Sequence, residues 1–168
     1  MIEKILNDNG LSSFIVENCC EEGVCVTFDS TVSSENYVII KVDDFFNSLN
    51  LKKTPASVDC LVFQRCLDGS YGITLVELKS SSSSGFLDFE NIKQKFQNTI
   101  DIFIIGKFPK YFFLDYKKFD LYFVSNIEIY KRDLGLKYET LINTKFMYNG
   151  KNRMIKPYMP TPTIKNCY

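Results

Sequence analysis

The 168-residue chain contains no histidine. That absence excludes a Ser-His-Asp triad, a Cys-His pair and a histidine general base. It also leaves no imidazole to complete a zinc site. None of the six cysteines, Cys19, Cys20, Cys25, Cys60, Cys66 and Cys167, falls in a CxxC pair. Any catalysis must then rest on carboxylates, lysine, tyrosine, cysteine or a metal. A metal held by carboxylates would be a hard cation, Mg2+ or Mn2+. No apolar run approaches the roughly 18 residues of a membrane span, so no membrane partner is expected. The amphipathic, acidic start, MIEKILNDNG, does not read as a signal peptide. With no paired motif among the cysteines, free thiols in a reducing cytoplasm are the simplest expectation.

What is present suffices for a globule. Apolar residues make up 45% and aromatics 15% of the chain, which predicts one domain over residues 1–168 with a core of its own. The net charge is zero but unevenly placed: residues 1–87 hold 6 Lys/Arg and 12 Asp/Glu, residues 88–168 hold 14 and 8. Such asymmetry marks a nucleic-acid-facing half in some proteins and is ordinary surface variation in others.

The stretch YGITLVELKS, Tyr71 to Ser80, reads as a strand with both faces apolar in the middle, hence central and covered on both sides. Alternation puts Glu77 and Lys79 on the face of Ile73 and Leu75. Either the two form a solvated ion pair at a strand end, or both face a cleft and handle a charged ligand. Upstream, VDCLVFQRC (58–66) is a second strand, and the Asp68-Gly69 turn predicts that the two pair as a hairpin. Asp59 would then lie at the open end beside Glu77 and Lys79. Two carboxylates that close repel each other in a partly buried site unless a cation sits between them.

The rest of the chain reads as an α/β alternation. Residues 2–8 predict a short helix, and 12–20 a helix capped by Ser12 or Ser13, or a strand. Residues 23–32 and 36–42 predict paired strands, and 43–49 a short helix. A serine run, Ser80–Ser84, with Gly85 reads as a flexible loop whose hydroxyls and amides could meet phosphate. Residues 88–106 predict a helix with Asp88 as cap and a buried stripe of Phe89, Ile92, Phe96, Ile100 and Phe103. Lys93, Gln94, Gln97 and Asp101 lie off that stripe. Residues 120–131 predict a strand, and 145–158 a hairpin turning at Asn149-Gly150. This hairpin mixes Lys145, Lys151, Arg153 and Lys156 with Phe146, Tyr148 and Tyr158, a composition that suits nucleic-acid contact or an ordinary exposed hairpin.

Asp59, followed 18 positions later by Glu77-Leu78-Lys79, resembles the PD-(D/E)xK nuclease superfamily. The order of a helix, strands, a D-strand, an ExK strand, a helix and a strand fits as well, over residues 10 to 130. No proline directly precedes the aspartate, as the family pattern has it; the chain reads Ser57-Val58-Asp59, with Pro55 nearby. The resemblance implies a restriction-endonuclease-like mixed central β-sheet flanked by helices, here with a C-terminal β-hairpin extension. It implies Asp59 and Glu77 as ligands of Mg2+ or Mn2+, the Leu78 carbonyl as a third, and Lys79 as the lysine that activates water. The family's first-helix glutamate would be Glu17, with Glu3 in reserve, and its helix glutamine Gln94 or Gln97. The implied substrate is nucleic acid, DNA ahead of RNA, with Lys93, Lys151, Arg153 and Lys156 as candidate contacts. A homodimer or a place in a larger complex is compatible with this reading. The alternative is an inactive module of the same fold that binds nucleic acid or protein.

Overall fold

The computed structural model describes residues 1–80, 88–126 and 135–168, with the main chain alone for 135–138. The remainder of the serine run and the end of the predicted 120–131 strand lie outside the described residues. In chain order the elements begin with helix α1 (Ile2–Leu6) and a single 3-10 turn at Ser12–Phe14. Four two-residue strands follow: β1 (Ile15–Val16), β2 (Cys20–Glu21), β3 (Val24–Cys25) and β4 (Thr27–Phe28). Then come β5 (Tyr37–Lys41), α2 (Val42–Ser48), β6 (Cys60–Arg65) and β7 (Tyr71–Lys79). Helix α3 (Phe89–Asn98) widens into a π-helical segment at Thr99–Lys107 and is followed by α4 (Pro109–Phe112) and β8 (Lys118–Ser125). The chain closes with α5 (Gly135–Ile142), β9 (Lys145–Tyr148), β10 (Lys151–Tyr158) and β11 (Thr163–Ile164).

Among the described residues, seven strands form one mixed sheet in the order β1-β5-β6-β7-β8-β10-β9. β5, β6 and β7 form an antiparallel meander, and α3 with its π-helical extension crosses over to β8, which runs parallel to β7. The crossover follows from chemistry already visible in the chain. Asp88 caps α3 by accepting from the Asn91 amide, and Phe89, Ile92 and Phe96 bury one stripe against the sheet. One sheet face packs on the helices through a phenylalanine-rich core that includes Phe46, Phe63, Phe103, Phe112 and Phe123. The other face carries Ile39, Val62, Val76 and Val124 and is covered by Val24 and Val26 beside β2 and β3 and by Ile164 of β11. β7 is therefore buried on both faces from Gly72 to Leu78, as its doubly apolar pattern predicts.

Three expectations give way. Residues 23–32 do not pair with 36–42: β3 folds back on β2, β4 pairs with β11, and β5 lies between β1 and β6. Hairpin proximity suggested the wrong partner because β3 is taken by its nearer neighbour β2 and β4 by the distant β11. The 145–158 hairpin turns at Asn149 and Gly150, both at positive φ, but it is not an extension. β10 pairs in parallel with β8, from Ile155 opposite Leu121 to Tyr158 opposite Val124, and so joins the main sheet. The cysteines are not free thiols. All six are joined, as Cys19–Cys60, Cys20–Cys25 and Cys66–Cys167. Two of these pairs span 41 and 101 residues, so no local spacing announces them. The cytoplasmic expectation rested on free thiols and loses that support. No helix among the described residues is long and apolar enough to cross a membrane.

Candidate active site

The β6–β7 register joins Cys60 to Val76 and Arg65 to Tyr71, so one step beyond the ladder Asp59 stands opposite Glu77. The hairpin thus brings the two carboxylates to one end of two neighbouring strands. Both face the helical layer, as the pleat requires of residues in step with Leu61 and Leu75. Asp59 is fixed from several sides. Its Oδ2 accepts from the Leu78 amide at 2.6 Å, and its carbonyl accepts from the Val42 amide at 3.1 Å. The approach to it is pinned to the crossover helix: the Thr99 hydroxyl accepts from the Val58 amide, and the Asn98 side chain donates to the Ala56 carbonyl.

Glu77 is fully buried, and two lysines meet it. Lys79 Nζ lies 3.3 Å from Oε1. Lys95, reaching in from α3, donates to Oε1 at 2.8 Å and to Oε2 at 3.0 Å. Burial pushes the Glu77 carboxyl up, and repulsion from Asp59 adds to this; Lys95 and Lys79 oppose it, and the result is a pKa of about 7. Burial likewise raises Asp59 against the pull of Lys95 and the Leu78 amide, with Glu21 adding repulsion. For Lys95 burial works against the charge, yet Glu77 and Asp59 outweigh it and hold the ammonium above its ordinary value. Asp43, in the first turn of α2, is a further member. Burial raises it against the pull of Lys41, Asp59 repels it, and its Oδ1 has no hydrogen bond among the described residues, with Lys41 Nζ at 3.7 Å. Burial thus raises three carboxyl groups, Asp43, Asp59 and Glu77, within one neighbourhood.

The other residues named from the sequence lie elsewhere. Glu17 is exposed just past β1, whose register sets Ile15 opposite Ile40 and Val16 opposite Ile39. It borders a cavity of about 340 Å³ with Leu6 and Tyr37. Glu3 borders another, of about 490 Å³, with Arg65 and Tyr71 at the turn end of the hairpin. Glu3 sits on the five-residue α1 beside the turn end of the hairpin, and Glu17 follows a two-residue strand rather than lying on a helix. Gln94, Gln97 and Lys93 line a groove of about 460 Å³ beside Thr144 and Phe146; the residue that α3 brings to the carboxylates is Lys95. Its signal was present: it follows Ile92 by three and precedes Thr99 by four, so a lysine sits on a buried helical face.

The candidate nucleic-acid contacts are not gathered on one surface. Pleating turns Lys151 and Arg153 to one face of β10 and Lys156 to the other. Lys151 pairs with Asp115, Lys156 with Asp120 and Lys93 with Glu90, while the Arg153 guanidinium lies 5.3 Å from the Phe119 ring centre. The acidic and basic halves of the chain also answer each other within the fold, through Lys95–Glu77, Lys110–Asp8 and Lys117–Asp68.

No family model matches the chain, and no curated protein or solved structure matches it either. The chemistry of the cluster therefore has to speak for itself. Among the described residues, no group of three or more His, Cys, Asp or Glu side chains stands close enough to hold a metal ion. Two carboxylates on opposed strands do remain. Mg2+ is commonly held by one or two carboxylates, its other positions being filled by water and substrate phosphate. The donor set fits a hard cation on those terms, and the raised Asp59 and Glu77 describe a pair that a cation would relieve.

Proposed function

We propose that the chain is a metal-dependent nuclease that hydrolyses phosphodiester bonds of nucleic acid, DNA ahead of RNA. The observation that carries this reading is the opposition of Asp59 and Glu77 across two antiparallel strands, with Lys79 against the same carboxylate. The resemblance to the PD-(D/E)xK nucleases draws further support from the β5–β6–β7 meander followed by a helical crossover into the parallel strand β8. In this reading Asp59 and Glu77 hold Mg2+ or Mn2+, and the resemblance adds the Leu78 carbonyl. Such an ion, when bound, supplies Lewis-acid polarisation of the phosphate and an acidified water. The chain's own contribution is geometric and electrostatic. The Leu78 amide keeps Asp59 in its rotamer, burial excludes water from Glu77, and Lys79 at the strand end is the cation placed to orient the attacking water and steady developing charge.

Cleavage of circular, linear and single-stranded DNA and of RNA, each with and without Mg2+, tests the proposal. Mg2+-dependent cutting lost in Asp59→Asn supports it; no cutting of any substrate overturns it. One observation favours a second reading, an inactive module of the same architecture: Lys95 already spans both oxygens of Glu77. Nucleic-acid binding without cleavage, indifferent to Mg2+, would select that reading.

A further inference from the structure

We propose that Lys95 is a positioning residue that occupies Glu77 in the metal-free protein and so limits how readily this site takes a divalent cation. The proposal rests on the nuclease reading above and assigns a role that the sequence pattern does not contain.

The two lysines at Glu77 are not equivalent. Lys79 comes from the same strand, touches one oxygen at 3.3 Å, and has a side chain 35% exposed. Lys95 comes from the facing helix, bonds both oxygens at 2.8 and 3.0 Å, and is 17% exposed. Its backbone is held as well, because the Thr99 hydroxyl donates to the Lys95 carbonyl while accepting from the Val58 amide next to Asp59. Lys95 is thus fixed to the segment that carries one carboxylate and bonded to the other. An ammonium spread across both oxygens of a buried glutamate occupies a lone-pair site on each and sets its own charge against an approaching cation. It also supplies the charge without which a metal-free pair of buried carboxylates would be costly. A metal entering at Glu77 has to compete with it. The freed ammonium, tethered to α3, is then the nearest buried cation to whatever phosphate follows the metal.

Calorimetric Mg2+ titration at pH 8.5 of the parent, Asp59→Asn, Lys95→Met and Lys79→Met tests this. The parent is expected to bind Mg2+ and Asp59→Asn to lose it. Lys95→Met is expected to bind at least about tenfold more tightly than the parent, since a full positive charge has left the site. Lys79→Met, losing a more distant and more solvated charge, should gain less. Lys95→Gln serves where Lys95→Met does not fold. In the metal-free protein, a thermal-denaturation cycle of Glu77→Gln, Lys95→Met and the double variant should show the two residues coupled. A residue that merely props up the fold would loosen the metal on removal. Equal or weaker Mg2+ binding in Lys95→Met, with the parent binding normally, overturns the proposal and leaves the nuclease reading intact. A parent that binds no Mg2+ overturns the nuclease reading itself and the proposal with it.

Discussion

The β6–β7 hairpin carries a carboxylate–lysine pair at each end, and the two behave in opposite ways. At the turn, Asp68 accepts from Lys117 and from the amide and hydroxyl of Ser70, in the open, and its pKa is lowered. At the far end, Glu77 meets Lys95 and Lys79 in the interior, and its pKa is raised to about 7. A neighbouring cation is common to both, so the cation does not decide the sign. Water does. Where solvent solvates the anion, hydrogen bonds and Lys117 add to its stability; where solvent is excluded, two lysines fail to replace what burial and Asp59 remove. The turn pair is an ordinary surface contact, whereas the far carboxylate keeps a raised pKa in spite of two lysines.

The comparison is broken most severely through activity. Lys79→Ala should lower cleavage by about two or more orders of magnitude while leaving Mg2+ binding largely intact, on the scale of a lost proton-transfer or electrostatic group. Glu77→Ala should lose both. Lys117→Ala, the matching change at the turn, should leave both untouched; single-turnover cleavage paired with calorimetry distinguishes the three. If the Glu77 and Lys79 variants cut like the parent, the two residues are a strand-end ion pair and nothing more.

Stability separates the two ends next. Removing Lys95 leaves a buried carboxylate with one partner fewer, so Lys95→Met should cost roughly 3 kcal/mol at pH 8 in a urea titration, less whatever Glu77 recovers by taking up a proton. Lys117→Met should leave the midpoint where it was.

A finer distinction lies in pH. Because the folded protein holds the Glu77 proton more tightly than the unfolded chain, with its value near 4.5, this group's contribution favours the fold at low pH. That contribution declines as pH rises from about 4.5 to about 7 and is flat above. Glu77→Gln should remove this slope from a melting-temperature profile. Asp68 has a lowered pKa, so its contribution is present above the unfolded value and fades only in stronger acid. Asp68→Asn should therefore leave the pH 5–7 window unchanged. An identical slope in Glu77→Gln and the parent would mean that Glu77 is not the buried proton carrier.

How much of this could be read from the chain varies with the range of the signal. Asp59, Glu77 and Lys79 come from two local facts, the alternation of strand side chains and a turn at Asp68-Gly69, and the register carries them to one place. Lys95 needed one more step, recognising a lysine in line with Ile92 and Thr99 as a buried residue rather than a solvated one. Glu17 and Glu3 rest on analogy with a first helix, but this chain's first helix is short and sits at the turn end of the hairpin, and Glu17 follows a strand instead. Two of the three disulfides, the β4–β11 pairing and the parallel seating of β10 on β8 join segments far apart in sequence, where periodicity is silent. The basic residues of β10 failed as a patch because the same alternation that gathers Glu77 and Lys79 separates Lys151 and Arg153 from Lys156.

The register of β6 on β7 also says which insertions and deletions the chain could tolerate. Extra residues between Leu67 and Ser70 would lengthen a solvent-exposed loop and leave Asp59 opposite Glu77, so the 18-position spacing between them is free to drift. Losing a single residue inside β7 is different, since a shift of one turns that strand's side chains over. Glu77 would then rotate onto the face packed by Val24, Val26 and Ile164, and an apolar neighbour would take its place beside Lys95. Relatives of this chain should therefore vary in the length of the turn and keep strand parity, and a search for them is better framed by parity than by spacing.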